Sequence, residues 1–440
     1  MPMISSDDFF ATWTHSLSSD FQQNGVPAES SDWVTETAKI KIVNHDGADR
    51  VQVVALSDDN ALIAVGVRHE VRVYDIAASA SEPRLVHTLP GYAGCEIGSL
   101  DFHPGGRKIA VGLSRRLPRR MESMLRVWDL DDPVEVSSHL DDAVEGAVAA
   151  ASSALSQHWS REDLDAADLR TEFTKIIAGG QLAMDVRNGR VLRGHFVGSS
   201  NPFSHDGRSL LYLPAGDVVV LDVETLTERF RLAGHTDAIM WAETSPDDKV
   251  VATASCDETV RIWSMDSGEV IHVLTDATNQ CWAGAFSPDG ELVAVGAGDQ
   301  MVRVWRVGTG ELVHTLSGFS RWVRSLAFSP DGRHLAAGAS GGTLRVFDVV
   351  AGECEQCWQV DVEKDQFARS FIEISGVQYN SRGDLFFSST EGRVFGYRAV
   401  QNAKWEAAVL QHTNFATSKD SSMLIALSRD GRDVCVWKIK

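Results

Sequence analysis

The chain has 440 residues, 43% hydrophobic and 23% charged, a globular balance that excludes a wholly disordered polymer. Its formal net charge of −20 sets up a field that repels a phosphate backbone, which argues against nucleic acid as the main partner. No run of about 18 apolar residues occurs, so neither a membrane span nor a membrane partner is expected.

Residues 1–34 are polar and acidic, dotted with Phe9, Phe10, Trp13, Phe21 and Trp33. They lack a basic stretch followed by an apolar one, so no secretory signal is read, and an intracellular protein, cytoplasmic or nuclear, is expected. The segment is predicted to be a tail, disordered or draped on the surface, ahead of one domain spanning 35–440. Residues 37–43 alternate in polarity and read as a lone strand. Strand-rich units follow at 51–76 and 97–130. The second contains Ser114-Arg115-Arg116-Leu117-Pro118-Arg119-Arg120, a basic insertion between two strands. Residues 149–173 are predicted to be a helical insert, because Ser160 and Asp163 form a capping-box pattern and Leu164, Leu169 and Phe173 follow at near-helical spacing. Residues 142–148, 174–185 and 189–195 around it read as the strands of a half-hidden unit.

The second half repeats. IMWAETSPDDKVVATASCDETVRIWSM from Ile239, CWAGAFSPDGELVAVGAGDQMVRVWRV from Cys281 and VRSLAFSPDGRHLAAGASGGTLRVFDV from Val323 align without a gap, a period of 42 residues. Each copy holds three short β-rich runs, and Ser-Pro-Asp-Gly at 287–290 and 329–332 supplies a tight turn between the first two. A fourth run follows, as at 307–316. One such unit cannot bury both faces of its sheet, but a ring of stacked units can. Degraded copies run over 196–223 and 374–399, and a clear one over 414–439. With the half-hidden unit the count is nine; a merger would make it eight. The last copy stops after its third run, so 37–43 is expected to supply the missing outer strand and close the ring. Deleting residues 1–46 should then destabilise the ring, and deleting 1–34 should not.

The period, Gly234-His235, the Ser-Pro-Asp-Gly turns and third runs ending in Tyr74-Asp75, Trp128-Asp129, Trp263-Ser264, Trp305-Arg306, Phe347-Asp348 and Trp437-Lys438 together resemble the WD-repeat family. The resemblance covers nearly the whole chain from about residue 36. It implies an all-β fold: a single closed β-propeller of four-stranded antiparallel blades. It also implies a structural hydrogen-bonded set, carried here by His235, Ser255, Asp257 and Trp263. That Ser-His-Asp trio could suggest a hydrolase, but nothing marks an oxyanion hole or a nucleophile elbow.

By the same resemblance, the Arg115, Arg116, Arg119 and Arg120 insertion shares a face with the loops that enter each first strand, the usual partner-binding face. Arginine makes bidentate contacts with carboxylate or phosphate; the alternative is a solvated loop or a localisation address. Trp282, Arg321, Trp322, Arg324 and Arg369 lie near the starts of first strands, at the expected channel mouth, and Trp and Arg are enriched at binding hot spots. The alternative is packing between blades, which is the reading for Trp241. The six cysteines are scattered, as expected of reduced thiols, and Cys354 and Cys357 form a lone CxxC beside a hairpin turn. No catalytic residue, metal or cofactor is expected. The leading functional reading is a scaffold for partner proteins or their peptide segments. The rival is a hydrolase or lyase with its site at the channel mouth.

Overall fold

The computed structural model describes residues 21–23, 26–42, 51–67, 70–77, 83–90, 95–117, 120–131, 191–193, 201–214, 216–360, 372–411 and 414–440. Among the described residues, eight blades succeed one another, with strands within 51–90 (blade 1), 96–129 and 191–193 (blade 2), 209–232 (blade 3), 239–274 (blade 4), 281–316 (blade 5), 323–359 (blade 6), 374–408 (blade 7) and 415–439 (blade 8). The repeating copies form blades 4, 5 and 6. Blade 4 runs Ile239–Thr244, Val250–Ser255, Val260–Ser264 and Val270–Leu274 in simple meander order. Blade 5 begins at Cys281–Phe286 and blade 6 at Val323–Phe328. The second strand of each is buried at every residue after its first, and in Leu292–Ala297 apolar throughout, because neighbouring blades cover it on both sides.

The Ser-x-Asp turn between first and second strands is held by one repeated device. The serine hydroxyl donates to the aspartate (Ser287 Oγ to Asp289 Oδ1, 2.5 Å; Ser329 to Asp331, 2.6 Å; Ser245 to Asp247, 2.7 Å) and accepts from the first amide of strand two. Gly290 and Gly332 close these turns at φ 72° and 71°, a conformation that glycine adopts without strain.

Eight apolar clusters fill the seams between successive blades. The first joins blade 1 to blade 2 through Val73, Leu89, Leu100 and Ile109. Another joins blade 2 directly to blade 3 through Leu125, Val127, Phe203 and Leu221. The last joins blade 8 to blade 1 through Ile40, Val54, Ile63 and Ile425. That final seam closes the ring. As the sequence predicts, the closing strand is N-terminal: Val34–Lys41 pairs with Asp433–Ile439 as the outer edge of blade 8.

The count of nine units is corrected to eight. Val191–Arg193, read as the outer strand of a ninth unit, pairs instead with Arg120–Asp129 (Leu125 opposite Leu192) and completes blade 2. The remaining parts of that unit and the helical insert 149–173 lie outside the described residues. Among the described residues, blade 3 has three paired strands, and before them Phe203 makes a bridge with Leu210.

The segment before the closing strand packs on the ring. Phe21 stacks on Tyr397 (4.2 Å, 8°) and lies 4.3 Å from Trp358. Glu29–Ser30 adds a parallel fifth strand to blade 7 beside Ala403–Ala408. Trp33 is 3% exposed, packed on Phe386 (5.5 Å) and under the Arg398 guanidinium (4.4 Å). The expectation that residues 1–34 could be removed without cost does not fit this burial. Periodicity could not reveal it, because single aromatic anchors have no period.

Candidate functional site

One end of the ring is defined by contacts between two kinds of loop. In blade 4 the loop entering the first strand meets the turn between strands two and three: His235 Nδ1 lies 2.8 Å from Asp257 Oδ2, and the Cys256 amide donates to the Ala238 carbonyl. In blade 5 the Thr278 amide donates to Asp299 (3.0 Å), and in blade 6 the Ser340 amide donates to the Trp322 carbonyl (2.8 Å). Both loop types therefore share this entry face.

Behind the face, blade 4 holds a closed polar relay. The Trp263 indole donates to Thr253 Oγ1 (2.9 Å), Thr253 sits 2.7 Å from His235 Nε2, and His235 Nδ1 meets Asp257. This fixes a neutral imidazole that accepts at Nε2 and donates at Nδ1. Burial pushes His235 below its usual value, against the pull of Asp257. Burial alone would raise Asp257, but bonds from Thr259, the Thr236 amide and His235 outweigh it and hold its carboxyl well below the usual range. The hydroxyl in the relay is Thr253, not Ser255. Ser255 lies one pair nearer the loop, where it donates to the Asp237 carbonyl and accepts from the Asp257 amide. In blade 5 Asp276 accepts from the Trp305 indole (2.8 Å), and in blade 6 Phe319 and Phe347 fill the same place with rings.

The first strands begin alike. In five blades their second residue is bulged out of register (Gln52, Met240, Trp282, Arg324 and Ser375), and in blade 2 the third, Gly98. A bulge re-aims the extra side chain and leaves its neighbours in register. In blades 5 and 6 this brings Trp282 and Arg324 together, with the Arg324 guanidinium 4.2 Å from the Trp282 ring. Trp322 stacks on Trp282 at 5.3 Å and 16°, and remains 46% exposed. Arg324 Nε donates to Glu373 Oε1 of the next blade at 2.7 Å. Arg321 is exposed beside a turn made of Gly341 and Gly342, at φ 96° and 76°. Blades 4 and 5 carry Asp257-Glu258 and Asp299-Gln300 there, so the blade 6 turn is bare.

The family described as WD domain, G-beta repeat matches the chain at residues 83–129, 226–264, 268–306 and 310–348. Each match takes the outer strand of one blade and the three inner strands of the next, the offset that the N-terminal closing strand completes. This chain is a WD-repeat β-propeller. Among curated proteins, autophagy-related protein 16 of Arabidopsis thaliana is 26% identical over 236 residues, which cover 50% of this chain and 40% of that protein.

The WD-repeat ring thus places Trp282, Trp322 and Arg324 in one cluster, with Arg321 beside it. Trp241 is 1% exposed and packs between blades, as expected. Arg115, Arg116 and Arg120 do not lie in a loop. They belong to strands Lys108–Leu117 and Arg120–Asp129, which pair as far as Leu117 opposite Arg120. Four residues beyond the usual strand length, this hairpin extends about 13 Å further at the entry face. Arg119 and Arg369 lie outside the described residues. Glu373 was missed by sequence reasoning, because it is a half-buried acid just before an ordinary strand. Among the described residues, no group of three or more His, Cys, Asp or Glu side chains could hold a metal, and no helix is long and apolar enough to cross a membrane.

Proposed function

We propose that this propeller is a non-enzymatic scaffold that binds peptide segments of partner proteins on its entry face, at the channel mouth. The observation that carries this reading is the exposed Trp322 ring, prestacked on Trp282 and backed by the Arg324–Glu373 pair. A rigid aromatic platform loses little side-chain freedom on binding, and flanking arginines supply hydrogen bonds to carboxylates. The kinship with autophagy-related protein 16 supports a protein partner. Arg321, Arg369 and the Arg115, Arg116, Arg119 and Arg120 hairpin are proposed to extend the same surface.

The test compares proteins captured by wild type with those captured by a variant carrying Arg119→Glu, Arg321→Glu and Trp322→Ala, after circular dichroism confirms that the variant folds. Partners that bind wild type and are lost from the variant support the reading. Identical partner sets contradict this choice of face.

A further inference from the structure

We propose that Cys354 is a site of thiol–disulfide exchange with small carboxylate-bearing disulfides, and that the adduct loosens the N-terminal segment at Phe21. The outer strand of blade 6, Cys354–Gln359, is bulged against Thr343–Asp348: Phe347 faces Cys354, Val346 faces Gln356 and Arg345 faces Cys357. The bulge sets both cysteines on the side of the sheet that carries Arg345. Arg345 Nη1 donates to Cys354 Sγ at 3.4 Å. The two thiols, Arg345, Trp358 and Phe21 line a recess of about 190 Å³.

Two features make this a site rather than a stray thiol. Cys354 is exposed, whereas Cys95, Cys281 and Cys435 are buried and Cys256 and Cys357 half-buried. Burial pushes Cys357 and Cys435 up to about 11 and Cys281 up to about 12, so they stay protonated and unreactive. Arg345 is 7% exposed, and its Nε has no hydrogen-bond partner among the described residues. The guanidinium reaches the recess through Nη1, the donor that a carboxylate held beside Cys354 would share. Gln356 and Glu355 complete the lining, and the Glu355 carboxylate is paired with His334 (3.2 Å).

Glutathione disulfide has the required chemistry. The Cys354 sulfur attacks one sulfur of the reagent, a new S–S bond forms and the old one breaks. The leaving thiolate takes the electron pair and then the proton that Cys354 gives up. No further oxidant is needed. A tripeptide adduct exceeds the volume of the recess. Its other walls are blade strands, so Phe21, carried on a short segment, is the wall that yields.

The test treats the full chain with glutathione disulfide or with neutral bis(2-hydroxyethyl) disulfide and maps the adducts by mass spectrometry. Cys354 is expected to react at least tenfold faster than Cys256 or Cys357. Its preference for glutathione disulfide should exceed that of a synthetic peptide of residues 351–359 at least threefold. Amide exchange at residues 21–33 should quicken at least tenfold in the adduct and stay unchanged in Cys354→Ser treated alike. Equal labelling of the cysteines, a preference equal to that of the peptide, or unaltered exchange at 21–33 in the adduct would each overturn the proposal.

Discussion

At the scale of single residues, the blade 4 relay shows how a buried polar group is kept at low cost. Every polar atom from Trp263 to Asp257 has a partner, so removing the middle member is costly. Thr253→Val strands both the indole N–H and His235 Nε2 and should destabilise by about 1–3 kcal/mol, against about 1 kcal/mol for Ser255→Ala. Equal losses in chemical denaturation would contradict the assignment of Thr253. The relay also sets a pH dependence. Because His235 is held below its ordinary value of 6.5, the unfolded chain takes up a proton that the fold refuses. Its contribution is therefore present above pH 6.5 and lost as the pH falls. Melting temperature should drop between pH 7.5 and 5 more steeply in wild type than in His235→Gln; parallel curves would refute this. Glu243 has the opposite sign. It occupies the first-strand position that is alanine in blades 1, 5 and 6 (Ala55, Ala285, Ala327), and burial raises it to about 7. Ionising it costs the fold stability as the pH rises from 4.5 through 7. Glu243→Gln should therefore be more stable than wild type at pH 8, by about 1–3 kcal/mol, and not at pH 4. A variant less stable at both pH values would show that the carboxyl is held by bonds rather than strained by burial.

At the scale of elements, the sequence reads well where a pattern repeats and poorly where one residue decides. The 42-residue period and the alternation at 37–43 placed blades 4 to 6 and the closing strand. The choice between Thr253 and Ser255 was not legible, because both point to one side of a strand and only the height of the Trp263 indole separates them. The bulges at Trp282 and Arg324 were equally hidden: an extra residue in register leaves no compositional mark. The arginine insertion read as a loop because Pro118 and four arginines suit turns, yet the pairing continues through Leu117 and Arg120. Outer strand Val191–Arg193 was assigned to a ninth unit because more than sixty residues separate it from Asp129, and sequence distance conceals pairing. The packed segment before the closing strand yields its own prediction. Trp33→Ala should cost about 3–5 kcal/mol, as for other buried aromatic truncations, measured by denaturation of the full chain. A loss under 1 kcal/mol would mean that Trp33 does not anchor this segment.

At the scale of the molecule, eight seams in a closed ring leave each blade dependent on its neighbours, so rigidity belongs to the whole and recognition to what the loops display. The cluster of Trp282, Trp322, Arg324 and Glu373 depends on this closure, since it draws on blades 5, 6 and 7 at once. The same closure makes the deletion of residues 1–46 a ring-wide lesion: it strips the edge from Asp433–Ile439 and opens the seam to blade 1. The account's central claim, that partners are read at this mouth, is tested most directly by placing a photo-crosslinking p-benzoylphenylalanine at position 322 or at 400, where Val400 is 94% exposed on the blade 7 turn. Illumination in lysate should give discrete protein adducts from position 322 that are absent from position 400. Identical adducts from both positions, or none from 322 while 400 yields them, would contradict it.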